Sequence, residues 1–337
     1  MSPTARERKR RPAARKPRAA EPPAKPARTP KVPSVPLPGS PKPHPMLGVG
    51  LWALGRWTAE DEARTKATIG RAYELGLRWF DTAEVYGSGR SERLLGEVLD
   101  RAAAGAPDAF VVTKVSWEHL RPAQVRASLV SSLQRLGRSS VDLYLVHAPD
   151  RHVPLADTMG ALEAIWKEGK VGAIGVSNFS VEELEAASKG LREARIAVNQ
   201  VRYNLFDRDE ADPVRDYCRD HQILLEAYTP LARGLLHGRY LDGKAVPNEV
   251  RQFAHRLFEP DRLPGILERA RALRALAREA KVPLASIALH WLEHRGAAPV
   301  IGMSRPDQVD SNLAAWAVRP PDDVLERADA IARGERA

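Results

Sequence analysis

Asp81, Lys114 and His147 each follow directly on a short apolar run, and Tyr86 comes five positions after Asp81. A carboxylate, an ammonium, a phenol and an imidazole make an acid–base set. A phenol with its ordinary pKa of about 10 is a poor proton donor near neutrality. An adjacent ammonium stabilises the phenolate and lowers that value. The residue types therefore assign Tyr86 as a general acid, Lys114 as the charge that tunes it, and Asp81 as the carboxylate that fixes Lys114 and keeps it charged. His147 is left to orient a carbonyl oxygen toward the phenol. Such a set protonates a carbonyl while another reagent delivers hydride.

For these groups to converge, the elements that carry them must end on one rim. The runs before them, 77–80, 109–113 and 141–146, read as buried strands. In a barrel of alternating strands and helices, residues at the C-terminal strand ends face the active site. Further strand-like runs fall at 47–51, 171–176, 196–200, 222–227 and 298–301, with helical patterns between them. That alternation predicts repeated βα units and a parallel sheet, eight units in all. Pro122 opens a helix whose Val125, Leu129, Leu133 and Leu136 share one face, and Gly137 stops it. Ser180 and Glu183 make a capping box. Leu155, Met159, Leu162 and Trp166 repeat at helical spacing, a core stripe that packs a helix onto the barrel. The rhythm breaks at 231–264, where Gly, Pro and charge are scattered; a long segment leaving the site's rim is predicted to act as a lid.

Charge divides the chain at about residue 45. Residues 1–45 hold 13 of the 27 prolines and 12 Lys or Arg against two acids, so this segment carries +10 and the remainder −1. So little apolar mass cannot offset its ordering entropy, and 1–45 is predicted to be a disordered basic tail ahead of one domain at 46–337. The run Arg6 to Arg11 offers at most weak counterion-release contact with nucleic acid or an anionic surface. No apolar segment follows it as in a secretory signal, and no stretch approaches the ~18 apolar residues of a membrane span. The single cysteine, Cys218, excludes an internal disulfide and reads as a small buried hydrophobe, which fits a cytoplasmic protein. His290 and His294 stand at i and i+4 but lack a third ligand in sequence, so no metal site is assigned.

Several motifs in fixed order carry a resemblance. Leu47–Trp52 (LGVGLW), Phe80–Gly87 (FDTAEVYG) followed by Ser91 and Glu92, Thr113-Lys114, Leu145–His147, Gly169–Phe179 (GKVGAIGVSNF), Asn199-Gln200 and Tyr228–Gly234 (YTPLARG) resemble the aldo-keto reductases. The resemblance spans about 46–333. It implies an α/β fold, a (β/α)8 TIM barrel that binds NADPH in an extended pose and reduces a small-molecule aldehyde or ketone. Tyr86, Lys114, Asp81 and His147 then take the roles given above. Gly50 is implied to touch the cofactor, Ser177, Asn178 and Gln200 to hold its carboxamide, and Tyr228 to stack on its ring. Leu231, Arg233 and Gly234 are implied along the pyrophosphate, and Ser304, Arg305, Gln308 and Asn312 at the adenosine end. Some relatives place a lysine where Gly302 stands and many an acid where Ser311 stands. Arg305 is thus the expected cation for a 2′-phosphate, and NADH stays open beside NADPH. Trp52 and Trp117 are expected to line the substrate pocket, with rim packing as the alternative. A Schiff base on Lys114 in an aldolase-type barrel explains neither Tyr86 nor Ser177-Asn178. A monomer is expected, and a cofactor-binding redox-sensing subunit with slow turnover is the alternative role.

Overall fold

A computed structural model describes residues 30–52, 57–102, 106, 108–246 and 255–335. Two short antiparallel strands, β1 (Ser34–Val35) and β2 (His44–Pro45), precede eight parallel strands that close into a barrel. These are β3 (Gly48–Gly50), β4 (Trp79–Asp81), β5 (Phe110–Val115), β6 (Val141–Val146), β7 (Val171–Ser177), β8 (Ile196–Arg202), β9 (Leu224–Tyr228) and β10 (Ala297–Gly302). Neighbours in sequence are neighbours in space, and β10 closes the ring on β3. Helices follow the strands: α1 (Ala59–Glu74), α2 (Arg90–Arg101), α3 (Pro122–Leu136), α4 (Leu155–Lys167), α5 (Val181–Lys189) and α6 (Ala211–Asp220), then α7 (Leu263–Glu279) and α8 (Leu284–His294) after β9, with α9 (Pro306–Trp316) and α10 (Asp322–Arg333) after β10. This is the (β/α)8 barrel that the alternating runs predict.

Side chains alternate across each strand, and this sorts the apolar residues into two layers. Trp79, Phe110, Val112, Leu143, Leu145, Val198, Ala298 and Val300 pack together inside the barrel. Their neighbours Phe80, Val111, Tyr144, Val146, Leu225 and Ile301 pack outward with the helices. Continuing the inward parity by two residues gives Asp81, Lys114, His147, Gln200 and Gly302 at the C-terminal rim. Gly48 is needed for the floor, because a Cβ there would stand 2.4 Å from the Trp79 ring.

The helix signals match their elements. Pro122 is at the start of α3, and Gly137 caps its end at φ 65°, in the left-handed region. Ser180 and Glu183 form both bonds of a capping box on α5. His290 is a satisfied core histidine: Nδ1 pairs with Glu293 at 2.8 Å and Nε2 donates to the Trp316 carbonyl at 2.9 Å. Burial pushes the Cys218 thiol up to about 12, which keeps it protonated. Among the described residues no helix is long and apolar enough to cross a membrane.

Two expectations change. Residues 1–29 of the predicted tail lie outside the described residues, but 30–45 belong to the barrel. Their hairpin inserts Leu37 and His44, with Met46 beyond it, under the barrel, and all three are buried. A composition average over the whole segment hides this short stretch, whose prolines suit turns and an unpaired edge. The segment expected as a lid is a wall over its first part: Leu235 and Leu236 are fully buried and Leu241 and Val246 nearly so. Residues 247–254, the middle of that segment, lie outside the described residues.

Candidate active site

The acid–base set assembles as the strand ends require. Lys114 Nζ lies 2.7 Å from both carboxylate oxygens of Asp81, 2.9 Å from the Thr82 carbonyl and 3.4 Å from the Tyr86 hydroxyl. An ammonium has three hydrogens and accepts nothing, so this cage of acceptors fits the charged form. Burial alone would lower the Lys114 pKa, but the Asp81 carboxylate and Tyr86 outweigh it and hold the value above its ordinary range. The Tyr86 oxygen accepts from Lys114, which leaves the phenol proton for an acceptor in the cleft. Gly87, at φ 58°, packs against the Trp57 ring and turns the chain beside Tyr86. Ser91 and Glu92 of the same motif are structural: the Thr82 hydroxyl donates to Ser91, and Thr113 and Arg135 donate to the fully buried Glu92.

The electrostatics differ from the expectation at one point. Lys114 does pull the Tyr86 pKa down, but burial is the larger effect and pushes it up to about 12. In the protein alone the phenol is therefore firmly protonated. Burial and then Lys114 push His147 down to about 3, so its ring is neutral. Its Nδ1 is buried with no hydrogen-bond partner among the described residues, and the ring meets Tyr86 edge-on at 5.6 Å and Trp117 at 5.9 Å.

Beside this set lies a tightly bonded polar group. Asn178 takes φ 63°, a left-handed conformation that asparagine tolerates. Its Nδ2 donates to the His147 carbonyl and to Ser177 Oγ, both at 3.0 Å, and Tyr228 donates to its Oδ1 at 2.9 Å. Ser177 donates to the Gln200 carbonyl at 2.8 Å. Gln200 Nε2 donates to Asp81 Oδ1 at 2.9 Å and to Glu226 at 2.5 Å.

Asp81, Tyr86, His147, Ser177, Asn178, Gln200 and Tyr228 open on a cleft of about 470 Å³, within the size range of small-molecule sites. Of the residues assigned from sequence, Gly50, Trp52, Asp81, Tyr86, Trp117, His147, Ser177, Asn178, Gln200, Tyr228, Leu231, Arg233, Gly234, Ser304, Gln308 and Asn312 line it. Lys114 lies beneath, with no exposed surface. Arg305 is not among the lining residues. Its half-exposed guanidinium pairs with Asp307 at 2.9 Å. Arg233 stacks over Trp52 at 4.7 Å, and burial together with the nearby Arg202 pushes its pKa down. Ser304 donates its N–H to Gln308 at the start of α9, and His237 pairs with Asn312 across the cleft at 2.8 Å.

Sequence reasoning missed Arg239, His237 and Tyr240, which also line the cleft. They sit at the end of a kinked 3-10 segment and in the turn that follows, where no periodicity fixes a direction. It also missed Glu226, for which a signal existed. A lone acid in Leu224–Tyr228, two residues before Tyr228, falls on the inward parity of the strand.

Fold and site together describe an enzyme of the (β/α)8 class whose reacting groups converge at the C-terminal rim. A model of the Aldo/keto reductase family matches residues 46–333. The chain belongs to this family of NAD(P)H-dependent oxidoreductases. An uncharacterized oxidoreductase of Mycobacterium tuberculosis is 34% identical over 278 residues, which is 80% of this chain and 83% of the relative. The glycerol dehydrogenase of Gluconobacter oxydans is similar in structure with a TM-score of 0.80 and 27% identity, over 90% of this chain and 95% of that one. An aldo/keto reductase of Klebsiella pneumoniae, solved in complex with NADP and acetate, gives a TM-score of 0.71 at 26% identity, over 89% of this chain and 95% of that one.

Proposed function

We propose that the protein reduces an aldehyde or ketone to the alcohol with NADPH, acting as a monomer in the cytoplasm, with Tyr86 as the general acid. The observation that carries this reading is the Tyr86 hydroxyl, 3.4 Å from a Lys114 ammonium that Asp81 holds at 2.7 Å, on the floor of the cleft. Bound NADPH supplies the hydride to the carbonyl carbon. Tyr86 gives its proton to the carbonyl oxygen, and the phenolate left behind faces Lys114, whose charge stabilises it until a proton returns from solvent. His147, neutral, offers a ring N–H that holds the carbonyl oxygen toward Tyr86. Trp52 and Trp117 form apolar walls for the substrate.

The cleft has the donors and acceptors that such a cofactor requires. Ser177, Asn178 and Gln200 present polar atoms for a carboxamide, and Tyr228 offers a ring face beside them. Arg233, with the backbone of Leu231 and Gly234, would hold the pyrophosphate. Gly50 leaves room at the strand end, while Ser304 and Gln308 stand at the start of α9, where a helix N-terminus favours anions, and Asn312 lies further along the same helix. A structural relative solved in complex with NADP supports the choice of cofactor.

The test is NADPH consumption across a panel of aldehydes and ketones. Turnover of at least one carbonyl class is expected. Tight NADPH binding with no turnover across the panel would overturn the reading in favour of a cofactor-sensing subunit.

A further inference from the structure

Below the acid–base set, the polar chain continues to the barrel floor. Glu226 is fully buried on β9, and so is His44 on the N-terminal hairpin. One Glu226 oxygen lies 2.9 Å from His44 Nε2, and the other accepts from Gln200 Nε2. Gln200 Nε2 also donates to Asp81. A carboxylate only accepts, so the group placed between two of them must be the amide NH2, and both of its hydrogens are used there. The amide oxygen of Gln200 must then face the other way, toward the cleft that Gln200 lines. His44 is fixed in turn, with its ring edge-on to Trp79 at 4.4 Å and to Phe110 at 4.8 Å.

We propose that His44 and Glu226 are positioning residues that lock the Gln200 amide with its oxygen toward the cleft, and so set the affinity for the nicotinamide carboxamide. This rests on the proposed contact between Gln200 and the carboxamide. Neither residue lines the cleft, and neither hydrogen-bonds Lys114 or Tyr86, although the Glu226 charge reaches Asp81 and Lys114. Their effect is on cofactor hold, through one oriented acceptor. A carboxamide NH2 donates to that acceptor; a flipped amide would set NH2 against NH2.

Two cofactors separate this role from a general structural one. The 3-acetylpyridine analogue of NADPH has a methyl group where the carboxamide has NH2, so it gains nothing from the Gln200 oxygen. Dissociation constants for both are measured by fluorescence on the full chain. Glu226→Leu should weaken NADPH about tenfold, the equivalent of ~1.4 kcal/mol, and change the analogue by less than about twofold. The double variant His44→Leu/Glu226→Leu also removes the imidazole that the single variant leaves buried without its carboxylate, and should show the same selective loss if the single variant folds poorly. Glu226→Gln keeps an acceptor for Gln200 and should bind NADPH within about twofold of the parent. Equal weakening of both cofactors, or no weakening, overturns the proposal. Gln200→Met is the control for the underlying reading. If it discriminates NADPH from the analogue while Glu226→Leu does not, the relay alone is wrong. If Gln200→Met fails to discriminate, the carboxamide contact is wrong and the relay falls with it.

Discussion

The two ends of the cleft are built on different principles. At one end, Asp81, Lys114, His147, Ser177, Gln200 and Tyr228 lie on or directly after barrel strands, and hydrogen bonds to one another or to the strands hold most of them. At the other end, Arg233 and His237 stand on a kinked 3-10 segment, Ala232–His237, and Arg239 and Ser304 on irregular backbone, while the nearby Arg305 is tied to an aspartate at the surface. Strand register fixes direction as well as position, whereas a loop fixes neither until it packs. The first end should therefore be rigid and intolerant of change, and the second should be tunable.

The comparison breaks most sharply at Tyr86. Tyr86→Phe keeps the ring and its edge contact with His147 but removes the donor, and general acid catalysis contributes roughly 10²–10⁴ in rate. Carbonyl reduction should fall by about that factor with NADPH affinity almost unchanged, measured as kcat beside a fluorescence titration. Retention of most of the turnover would remove Tyr86 from the mechanism. Lys114→Met tests the rigidity of the same end. It leaves Asp81 buried without its counter-charge, and loss of one partner of a buried pair costs about 3–5 kcal/mol. A denaturant midpoint close to that of the parent would mean that Asp81 takes up a proton or a water at little cost.

At the phosphate end the expected effects are smaller and concern the choice of cation. Sequence reasoning put the 2′-phosphate on Arg305, yet Arg239 lines the cleft and Arg305 does not, and the Arg239 charge reaches Asp307. Removing a charged hydrogen bond costs about 1.5–3 kcal/mol, so Arg239→Ala should weaken NADPH about 10-fold or more and NADH less. Arg305→Ala breaks an exposed pair, which is worth about 0–1 kcal/mol, and should change NADPH binding by a few-fold at most. The reverse order in binding titrations would show that Arg305 leaves Asp307 to meet the cofactor.

The same contrast explains what could be read from the sequence. The eight strands and Asp81, Lys114 and His147 were legible together, because each short apolar run ends in the polar residue it carries to the rim, and Tyr86 was legible from its spacing to Asp81. The capping box at Ser180 and the stop at Gly137 were legible for local reasons. Arg239 was not, since nothing in 231–246 announces which side chains turn toward the cleft. His44 was hidden by its neighbours: a segment dominated by prolines and cations reads as a tail, although one buried imidazole and two apolar side chains are enough to seat its end under the barrel. The pKa of Tyr86 was misjudged in direction because a sequence shows the ammonium but not the depth at which the pair is buried.

That depth gives the smallest expected effect, a missing one. Burial pushes Tyr86 up to about 12 and His147 down to about 3. An acid must be protonated to act, and Tyr86 stays so at every pH below about 12. His147 must be neutral to offer one N–H and keep the other nitrogen bare, and it stays so above about 3. Ordinary values of about 10 and 6.5 would put an inflection near each. The profile of kcat/KM for NADPH reports the free enzyme's groups, so it should be flat from about pH 5 to about pH 9. Stability follows with its own sign. The folded form resists protonating His147, so the unfolded chain binds the extra proton first, and stability falls as pH drops from about 6.5 toward about 3. Conversely the phenol ionises first in the unfolded chain, and stability falls as pH rises from about 10 toward about 12. In His147→Gln the acid-side loss should shrink. An inflection near pH 6.5 in the rate profile that vanishes in the same variant would show instead that the ring is solvated in solution, and that the strand-borne end of the cleft is less closed than its geometry requires.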